Sequence, residues 1–379
     1  MNITDEFKTP GQYIQHLLDE REWNQTVLSI VLEASQATIS QIINGKGRLD
    51  ASLALALSEV FSVPVENFMV LQSAYDLASA RVVAKPNPKR FTRAHLFNGL
   101  PITEMIKRGW LPGVTDIKNM DSVEKGLAKF FDVSTPSEIE VLPHAAKKTE
   151  ASVPMSPAQL AWLYRVKEIA SEMLVAKYSP DAVTSAIPKL KSLLFSKEEA
   201  RKVPRILAEC GIRFVIVESL PSAKIDGVCY WLNDRSPVIG MSLRHDRIDN
   251  FWFVLRHELE HVILRHGLSS AMFDADVESN PSDSPLADEE RLANTAAAEF
   301  CVPSKLMQGF IARKAPYFTQ QDLLGFSAML KVHPGLVAGQ LRRTTARFDL
   351  FSNHLVKIRS VVAPNAVVDG WGDVAPVGI

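Results

Sequence analysis

Two histidines, His257 and His261, stand four residues apart in a segment, 251–266, that contains no Gly or Pro and is rich in apolar side chains. This composition predicts one buried helix. Residues four apart leave a helix on the same face, which suits two neighbouring ligands of a tetrahedral zinc ion. Glu258 lies about 100° further round the helix, where it can take a proton from a zinc-activated water without binding the metal. The pattern H-E-x-x-H therefore predicts zinc-dependent hydrolysis with Glu258 as general base.

The alternative is a buried helix whose histidines are satisfied by hydrogen bonds alone. The flanking residues favour the metal-site interpretation. Their apolar side chains would bury the helix in a core, where polar side chains without partners are energetically costly. Metal ligation gives the three polar side chains a reason to be there. The flanking apolar residues are Trp252, Phe253, Leu255, Leu259, Val262, Ile263 and Leu264.

A zinc peptidase also needs a third protein ligand and an open fourth position. The segment 288–303 is Ala-rich and predicts a second helix whose small side chains allow close packing against the histidine helix. A Glu in the first turn of this second helix would complete the site.

The segments 257–261 (HELEH), 290–294 (ERLAN) and 302–303 (VP) together resemble the ImmA/IrrE family of zinc metallo-endopeptidases. The family pattern is HExxH, then E-x-x-A-N, with a Pro closing the helix. The resemblance implies Zn²⁺ as cofactor and a protein substrate such as a repressor or antitoxin. It assigns the metal to His257, His261 and Glu290, and the catalytic role to Glu258.

Two further carboxylates near the predicted site, Glu289 and Glu260, bear on this assignment of the metal ligands. Glu289 precedes Glu290 and is the alternative third ligand. Glu260 stands where the family usually has Gly, and it adds negative charge near the predicted site. That charge could alter substrate fit or metal affinity.

Length and composition indicate the number of domains, the class of partner and the cellular compartment. A chain of 379 residues predicts two or three domains, and a net charge of −1 gives the whole chain no electrostatic case for nucleic acid or a membrane. The three scattered cysteines indicate a reducing compartment and neither a disulfide framework nor a cysteine zinc site. Residues 1–7 are acidic without an apolar run, and no stretch is long enough to span a bilayer, so we expect a cytoplasmic protein.

Residues 8–80 predict five short helices. The second begins at the N-cap Asn24, the third follows the N-cap Ser35, and Asn44-Gly45 has the chemistry of a helix C-terminus. Two short helices joined by a tight turn, the second with small polar residues on one side, are typical of a helix-turn-helix. A small helical bundle that binds protein is the alternative.

The segment 24–46 resembles the XRE class of helix-turn-helix regulators. With Pro10-Gly11 before it and residues 71–77 after it, the region is similar to the HigA antitoxin branch. The resemblance implies a homodimer that binds operator DNA, with Lys46 near the phosphate backbone. The other positions it places against DNA are Gln25, Gln36, Ala37, Thr38, Ser40 and Gln41.

The charge of this region weighs against DNA binding. Residues 1–80 hold four basic and ten acidic side chains, a net charge of −6, whereas DNA affinity rests largely on neutralised phosphates. Glu33 occupies the turn position where Gly is usual, which makes a left-handed backbone less favourable there. The next segment, 81–108, holds seven basic side chains against Glu104 alone, so it could contact phosphates or pair with the acidic region. Its basic residues are Arg81, Lys85, Lys89, Arg90, Arg93, Lys107 and Arg108.

The last part of the chain changes from helical to strand periodicity. Strands are predicted at 212–217, 226–232 and 237–243, a small three-stranded sheet beside the zinc helix whose edge can hold an extended peptide by strand addition. The segment 269–287 predicts a loop. His333 is a weak candidate to polarise a substrate carbonyl, and a position at the start of a helix without a catalytic part is the better interpretation.

The sequence thus predicts a multidomain protein, mainly α with a small β-sheet. An all-α helix-turn-helix bundle (1–80) precedes a basic linker and small helical region (81–157), an α+β zincin-like metallopeptidase domain (158–362) and a flexible tail (363–379). The predicted function is a cytoplasmic regulator that couples DNA binding to zinc-dependent cleavage of a regulatory protein. The alternative is a non-proteolytic transcription regulator or antitoxin whose zincin-like domain senses a ligand or binds a partner. A metal-free interaction scaffold is the third possibility.

Overall fold

The computed structural model describes residues 3–84, 87, 89–135, 138–139, 155–268, 272–275, 285–362 and 367–369. The chain divides into two compact units, Met1–Pro88 and Lys89–Ile379. The described residues are mainly helical with a small sheet, which confirms the predicted fold class. No helix in these ranges has the length and apolar content needed to cross a bilayer.

The first unit is a bundle of short helices around one apolar core. Its largest fully buried side chains include Leu18, Leu28, Leu57 and Phe68. Gly11 lies against the end of the fourth helix, because a Cβ there would stand 2.4 Å from the carbonyl oxygen of Ile43. The helices are Ile3–Glu6 (α1), Pro10–Glu20 (α2), Gln25–Val31 (α3), Gln36–Ile43 (α4), Ala51–Phe61 (α5) and Val65–Val83 (α6).

The predicted helix ends in this unit are confirmed. The Asn24 Oδ1 accepts from the Val27 amide at 2.9 Å, and the Ser35 Oγ accepts from the Thr38 amide at 3.0 Å. Glu33 joins α3 to α4 with a φ of +52°, the left-handed conformation that Gly adopts more readily. The turn therefore has helix-turn-helix form in spite of its Glu.

The predicted boundary at residue 80 lies inside α6, which continues to Val83. The predicted basic linker, which begins at residue 81, contains the end of α6 and then a further helix, Lys89–Gly99 (α7). The first helices of the second unit are Lys89–Gly99 (α7), Ile102–Lys107 (α8), Met120–Phe130 (α9), Pro157–Glu172 (α10), Pro180–Ser192 (α11) and Val203–Glu209 (α12). The predicted second linker, 143–157, lies largely outside the described residues.

The sheet has five strands in the order β4-β2-β3-β1-β5. Strand β1 pairs in parallel with β3 and β5, and β2 pairs antiparallel with β3 and β4. The three predicted strands are confirmed, and two further short strands, one at each edge, extend the sheet to five. The strands are Arg213–Val217 (β1), Ile225–Trp231 (β2), Pro237–Met241 (β3), Met272–Ala275 (β4) and Val367–Asp369 (β5).

The two missed strands come from the predicted loop 269–287 and the predicted flexible tail 363–379. Each has only three or four residues, too few for a periodic signal, and each depends on its pairing partner. Strand β5 is also held by a buried ion pair between Asp369 and Arg165 of α10. The Glu218 amide donates to the Asp369 carbonyl oxygen at 2.9 Å.

One face of the sheet packs against the small helical region. Trp110 and Leu127 share a core with Trp162 of α10 and with Val215 and Val228 of the sheet. This region therefore belongs to the second unit and is not a separate segment between two domains.

Ion pairs hold the same region in place. Arg108 is buried, pairs with Glu104 at 2.9 Å, and donates to the carbonyl oxygen of Glu218 at 2.7 Å. Arg93 pairs with Glu124 at 2.7 Å, and Lys89 with Asp121 at 3.3 Å. These three cations of the segment 81–108 are engaged inside the second unit.

The opposite face of the sheet packs against helix α13, which runs from Ile248 to Ile263. Phe251, Trp252 and Leu255 of α13 share a core with Phe214 and Ile239 of the sheet. The remaining helices are Pro285–Cys301 (α14), Ser304–Lys314 (α15), Gln320–Leu330 (α16), Pro334–Thr345 (α17) and Arg359–Val362 (α18), with short 3₁₀ turns at Leu193–Phe195, Lys197–Lys202 and Ser352–His354.

Candidate metal centre

Three polar side chains of helix α13 lie side by side and are almost fully buried. His257, Glu258 and His261 have 0%, 1% and 1% of their surface exposed. The Nε2 atoms of the two histidines stand 3.0 Å apart. The helical spacing therefore brings both rings to one point, as the sequence predicts.

Helix α14 supplies the third side chain of this cluster. Its residues Ala293 and Ala297 are fully buried, so the helix can lie close to α13. Glu290 brings one carboxylate oxygen to 3.1 Å from His257 Nε2 and the other to 3.5 Å from His261 Nε2. These three residues form the metal-capable cluster found among the described residues.

The donor set and its dimensions fit zinc. Zinc bonds to nitrogen and oxygen are about 2.0–2.1 Å long, so neighbouring ligand atoms of an ideal tetrahedron stand about 3.3 Å apart. The two Nε2 atoms stand 3.0 Å apart, and the two oxygens of the Glu290 carboxylate lie 3.1 Å from one ring and 3.5 Å from the other, which is close to that value. With one ligand atom taken from each residue, all three atoms lie within 4.8 Å of one another. Two imidazoles and one carboxylate leave a fourth position open, as a hydrolytic zinc site requires.

Each histidine has a further partner on its Nδ1 atom. The Oδ1 of Asn294 lies 3.1 Å from His257 Nδ1, and the Nδ1 of His266 lies 3.0 Å from His261 Nδ1. The predicted site lacked both residues. Asn294 could have been found, since it follows Glu290 by four residues on the same helix, but His266 lies beyond the end of α13, where helical spacing gives no signal.

The structure separates the two candidate carboxylates. Glu290 points into the histidine pair, whereas the nearest oxygen of Glu289 stands 3.8 Å from the Nδ1 of His266. Glu290 is therefore placed to be the third ligand, and Glu289 lies beside an outer residue.

The catalytic candidate Glu258 faces strand β2. A Cβ added to Gly227 would stand 2.2 Å from the Glu258 Oε1 and 2.8 Å from a methyl carbon of Val254. Any side chain at position 227 would displace the Glu258 carboxylate. Gly227 thus makes room for the carboxylate between α13 and the sheet.

Residues 209–332 match the family model Peptidase_M78, the IrrE N-terminal-like domain. The N-terminal part of the chain is similar to the uncharacterized HTH-type transcriptional regulator YddM of Escherichia coli (strain K12), with 32% identity over 71 residues, 19% of this chain and 76% of that protein. The chain belongs to the HTH-type regulators and carries an IrrE-type domain. No solved structure was found to match it.

Burial shapes the electrostatics of the IrrE-type domain. Desolvation, followed by the neighbouring His257, lowers the pKa of His261 from 6.5 to about 4. His261 is therefore neutral at pH 7, and its Nε2 lone pair is available for a metal without first losing a proton.

Glu260, the departure from the family pattern, is paired with a cation. Its carboxylate lies 2.7 Å from the Arg256 guanidinium, one turn back on α13, and both side chains are largely buried. The predicted extra negative charge at the metal is thus compensated on the helix itself.

Three further polar residues, at the start of α13 and of α17, stabilise the fold. Arg247 forms a double hydrogen bond with Asp249 at 3.0 and 2.6 Å, and the Asp249 carboxylate packs against Gly339 of α17. The weak candidate His333 caps α17, where its Nδ1 accepts from the Gly335 amide at 3.0 Å. A capping role matches the non-catalytic interpretation of His333.

The predicted DNA-facing side chains lie together on α3, α4 and the following turn of the first unit. Gln36 donates to the Thr26 hydroxyl at 2.9 Å, which links the two helices. Ile39 and Ile42 of α4 are buried, so the predicted positions form the outer side of that helix. Of these positions, Gln36, Ala37, Thr38, Gln41 and Lys46 are exposed, and Gln25 and Ser40 are half-buried.

Proposed function

We propose that the chain is a cytoplasmic regulator in which a helix-turn-helix module is coupled to a zinc-dependent endopeptidase that cleaves a regulatory protein. The observation that carries the peptidase part is the convergence of His257, His261 and Glu290 within 3.5 Å of one another, with Glu258 beside them. The match to the IrrE N-terminal-like model over the same residues supports it.

His257 and His261 would hold zinc through their Nε2 atoms, and Glu290 through its carboxylate. Zinc bound there supplies a Lewis acid, which lowers the pKa of water and polarises the scissile carbonyl group. Asn294 accepts the Nδ1 proton of His257 and so leaves the Nε2 lone pair of that ring directed at the centre.

Glu258 carries the proton transfers in this mechanism. Its carboxylate takes a proton from the attacking water and then delivers it to the amine that leaves when the peptide bond breaks. Close packing against Gly227 holds the carboxylate in one orientation, and burial excludes bulk water from it. Among the described residues of α13, the only other carboxylate close to the two histidines is that of Glu260, and it pairs with Arg256.

The sheet offers a means of holding the substrate. Strand β4 lies at the edge of the sheet, and its neighbour β2 carries Gly227 against Glu258. An extended peptide that paired with β4 would add a strand at this edge and present its backbone toward the metal centre. The resemblance to the ImmA/IrrE family suggests a repressor or antitoxin as the protein that supplies this peptide.

We further propose that the first unit binds DNA as a homodimer. Support comes from its helix-turn-helix geometry, from the polar outer side of α4, and from the relative whose name describes a transcriptional regulator. The net charge of −6 in residues 1–80, and the internal pairing of Lys89, Arg93 and Arg108, leave few cations for phosphates. We therefore expect low affinity with a shallow dependence on salt.

The peptidase proposal is tested with purified protein and a peptide mixture made by digesting a denatured bacterial proteome. Zinc-loaded wild type should produce new peptide ends, and Glu258→Gln should produce none while it binds zinc equally well. Glu289→Gln is the matched control and should cleave like wild type. A Glu258→Gln variant as active as wild type would contradict the mechanism, and would favour a domain that senses a ligand or binds a partner.

A further inference from the structure

We propose that His266 is a positioning residue of the metal centre, which accepts the Nδ1 proton of His261 and so fixes the ring that presents its Nε2 to zinc. The inference rests on the proposed zinc centre. It adds a residue that lies outside the H-E-x-x-H and E-x-x-A-N patterns.

The contact between the two rings is short and buried. Their Nδ1 atoms stand 3.0 Å apart, and the exposed fractions of the His261 and His266 side chains are 1% and 16%. Two imidazole nitrogens at this distance form a hydrogen bond only when one carries a proton and the other offers a lone pair. The tautomer of one ring therefore determines the tautomer of the other.

Metal binding decides which ring donates. A neutral imidazole that offers its Nε2 lone pair to a metal carries its proton on Nδ1. His261 is then the donor and the Nδ1 of His266 the acceptor. The bond selects the metal-binding tautomer of His261 and also restricts rotation of its ring.

The fold holds His266 in place independently of this bond. Helix α13 ends at Ile263, and Arg265 takes a left-handed φ of +58° that turns the chain back. The His266 amide donates to the His261 carbonyl oxygen at 2.8 Å. The indole Nε1 of Trp231 in β2 donates to the His266 carbonyl oxygen at 2.9 Å.

The next residue fixes the same turn to the sheet. Gly267 has a φ of +78°, and a Cβ on it would stand 2.7 Å from the Cys229 carbonyl oxygen. The backbone of residues 266–267 therefore lies directly on β2. A ring attached to backbone anchored in this way is a fixed acceptor and not a mobile surface side chain.

The arrangement gives each histidine ligand one outer acceptor. Asn294 on α14 serves His257, and His266 after α13 serves His261. Outer partners of this kind typically contribute 10–100-fold to metal affinity or activity. We expect a loss in that range when the acceptor of His261 is removed.

The test compares two substitutions in the full-length protein. His266→Asn places an amide oxygen near the position of the Nδ1 atom and retains an acceptor, whereas His266→Leu fills similar volume without one. The zinc dissociation constant, measured by competition with a chelator, should rise about 10–100-fold in His266→Leu and stay within about 3-fold of wild type in His266→Asn. His245→Leu, a half-buried histidine outside the cluster, is the matched control.

A spectroscopic measurement tests the bond itself. In zinc-loaded protein with ¹⁵N-labelled histidine, the Nδ1 proton of His261 should exchange slowly with water, and the two Nδ1 nuclei should show scalar coupling across the hydrogen bond. His266→Leu should lose both signals, whereas His266→Asn should keep the slow exchange. This measurement on wild type remains decisive if a variant fails to fold.

The outcomes separate this inference from the proposed function. Absence of the coupling in loaded wild type would overturn the role of His266, as would equal zinc affinity in His266→Leu and wild type. Equal losses in His266→Asn and His266→Leu would show that the acceptor is irrelevant, and would overturn it too. Failure of wild type to bind zinc at all would instead remove the metal centre on which the inference depends.

Discussion

Helical spacing predicts both the metal cluster of the second unit and the helix-turn-helix face of the first unit. Only in the metal cluster do the side chains converge on one point. His257, His261 and Glu290 converge within 3.5 Å and are largely buried. The side chains on the outer side of α4, such as Gln36 and Gln41, diverge into solvent. Side chains that converge on one point indicate by their own geometry which ligand they can bind. An exposed polar helix face does not, because its contacts form only when the partner is bound.

The charges sharpen this contrast. The polar side chains at the cluster have partners that suit a metal, including Asn294 and His266, and the extra charge of Glu260 is paired with Arg256. The first unit has a net charge of −6 over residues 1–80, opposite in sense to what phosphates attract. Geometry and electrostatics agree at the metal centre and disagree at the DNA-facing surface.

The largest effect is expected from the third ligand. Glu290→Ala should abolish cleavage and reduce zinc affinity by more than about 100-fold, since it removes a ligand and not an outer partner. Glu289→Ala should retain zinc, because that carboxylate lies 3.8 Å from His266 and outside the cluster. Metal analysis after dialysis distinguishes the two variants. Loss of zinc in Glu289→Ala with retention in Glu290→Ala would reverse the assignment.

The next effect tests the position of the general base. Gly227→Ala puts a methyl group 2.2 Å from the Glu258 Oε1, so the carboxylate must shift. We expect cleavage to fall roughly 100-fold, with zinc still bound and stability reduced by about 1–3 kcal/mol. Gly325→Ala, where an added Cβ meets no atom within 4 Å, is the control. Wild-type cleavage rates in Gly227→Ala would show that the carboxylate position is not critical.

At the DNA-facing surface the expected effects are smaller. Removal of one base contact, in Gln41→Ala, should weaken specific binding by about 1–3 kcal/mol. Lys46→Ala should weaken binding to all sequences and reduce the salt slope by about one. Gel shifts with the promoter DNA of the protein's own gene, at several salt concentrations, measure both effects. If no fragment is retarded even at low salt, the first unit does not bind that DNA.

The turn of the same unit offers a test of its fold. Glu33 has a φ of +52°, so Glu33→Gly should relieve backbone strain and raise the free energy of unfolding by about 0.5–1 kcal/mol. Glu59→Gly, inside α5, should lower it by about 1 kcal/mol. Denaturant titration measures both changes. Destabilisation by Glu33→Gly would mean that the Glu side chain makes a favourable contribution at this position.

The last prediction concerns pH. The pKa of His261 is about 4 in the folded protein, compared with its ordinary value of 6.5. As the pH falls, this histidine therefore takes up a proton in the unfolded chain at a higher pH than in the folded protein. Metal-free protein should therefore lose stability as pH falls from about 6.5 to about 4, by at most about 1.4 kcal/mol per pH unit from this residue. Urea titrations with chelator present measure the slope, and His261→Gln should reduce it. An unchanged slope in that variant would assign the proton to another group.

The sequence was most informative where chemistry and periodicity coincide. Local pattern and helix chemistry predict helix α13, the three longer strands, and the caps at Asn24 and Ser35. Strands β4 and β5 could not be predicted, because they are short and exist through pairing with distant strands. His266 reaches the centre through a left-handed turn anchored on β2, a tertiary contact that no local spacing encodes.

The central claim is that the metal centre cleaves a protein, and the most direct measurement compares wild type with Glu258→Gln in the native host. N-terminal peptides would be mapped across the proteome of each strain. The account predicts at least one regulatory protein that is cut in the wild type and whole in the variant. Identical peptide ends in both strains, with transcription of neighbouring genes changed only when residues 1–80 are deleted, would contradict a peptidase and leave a regulator with a structural or sensing metal site.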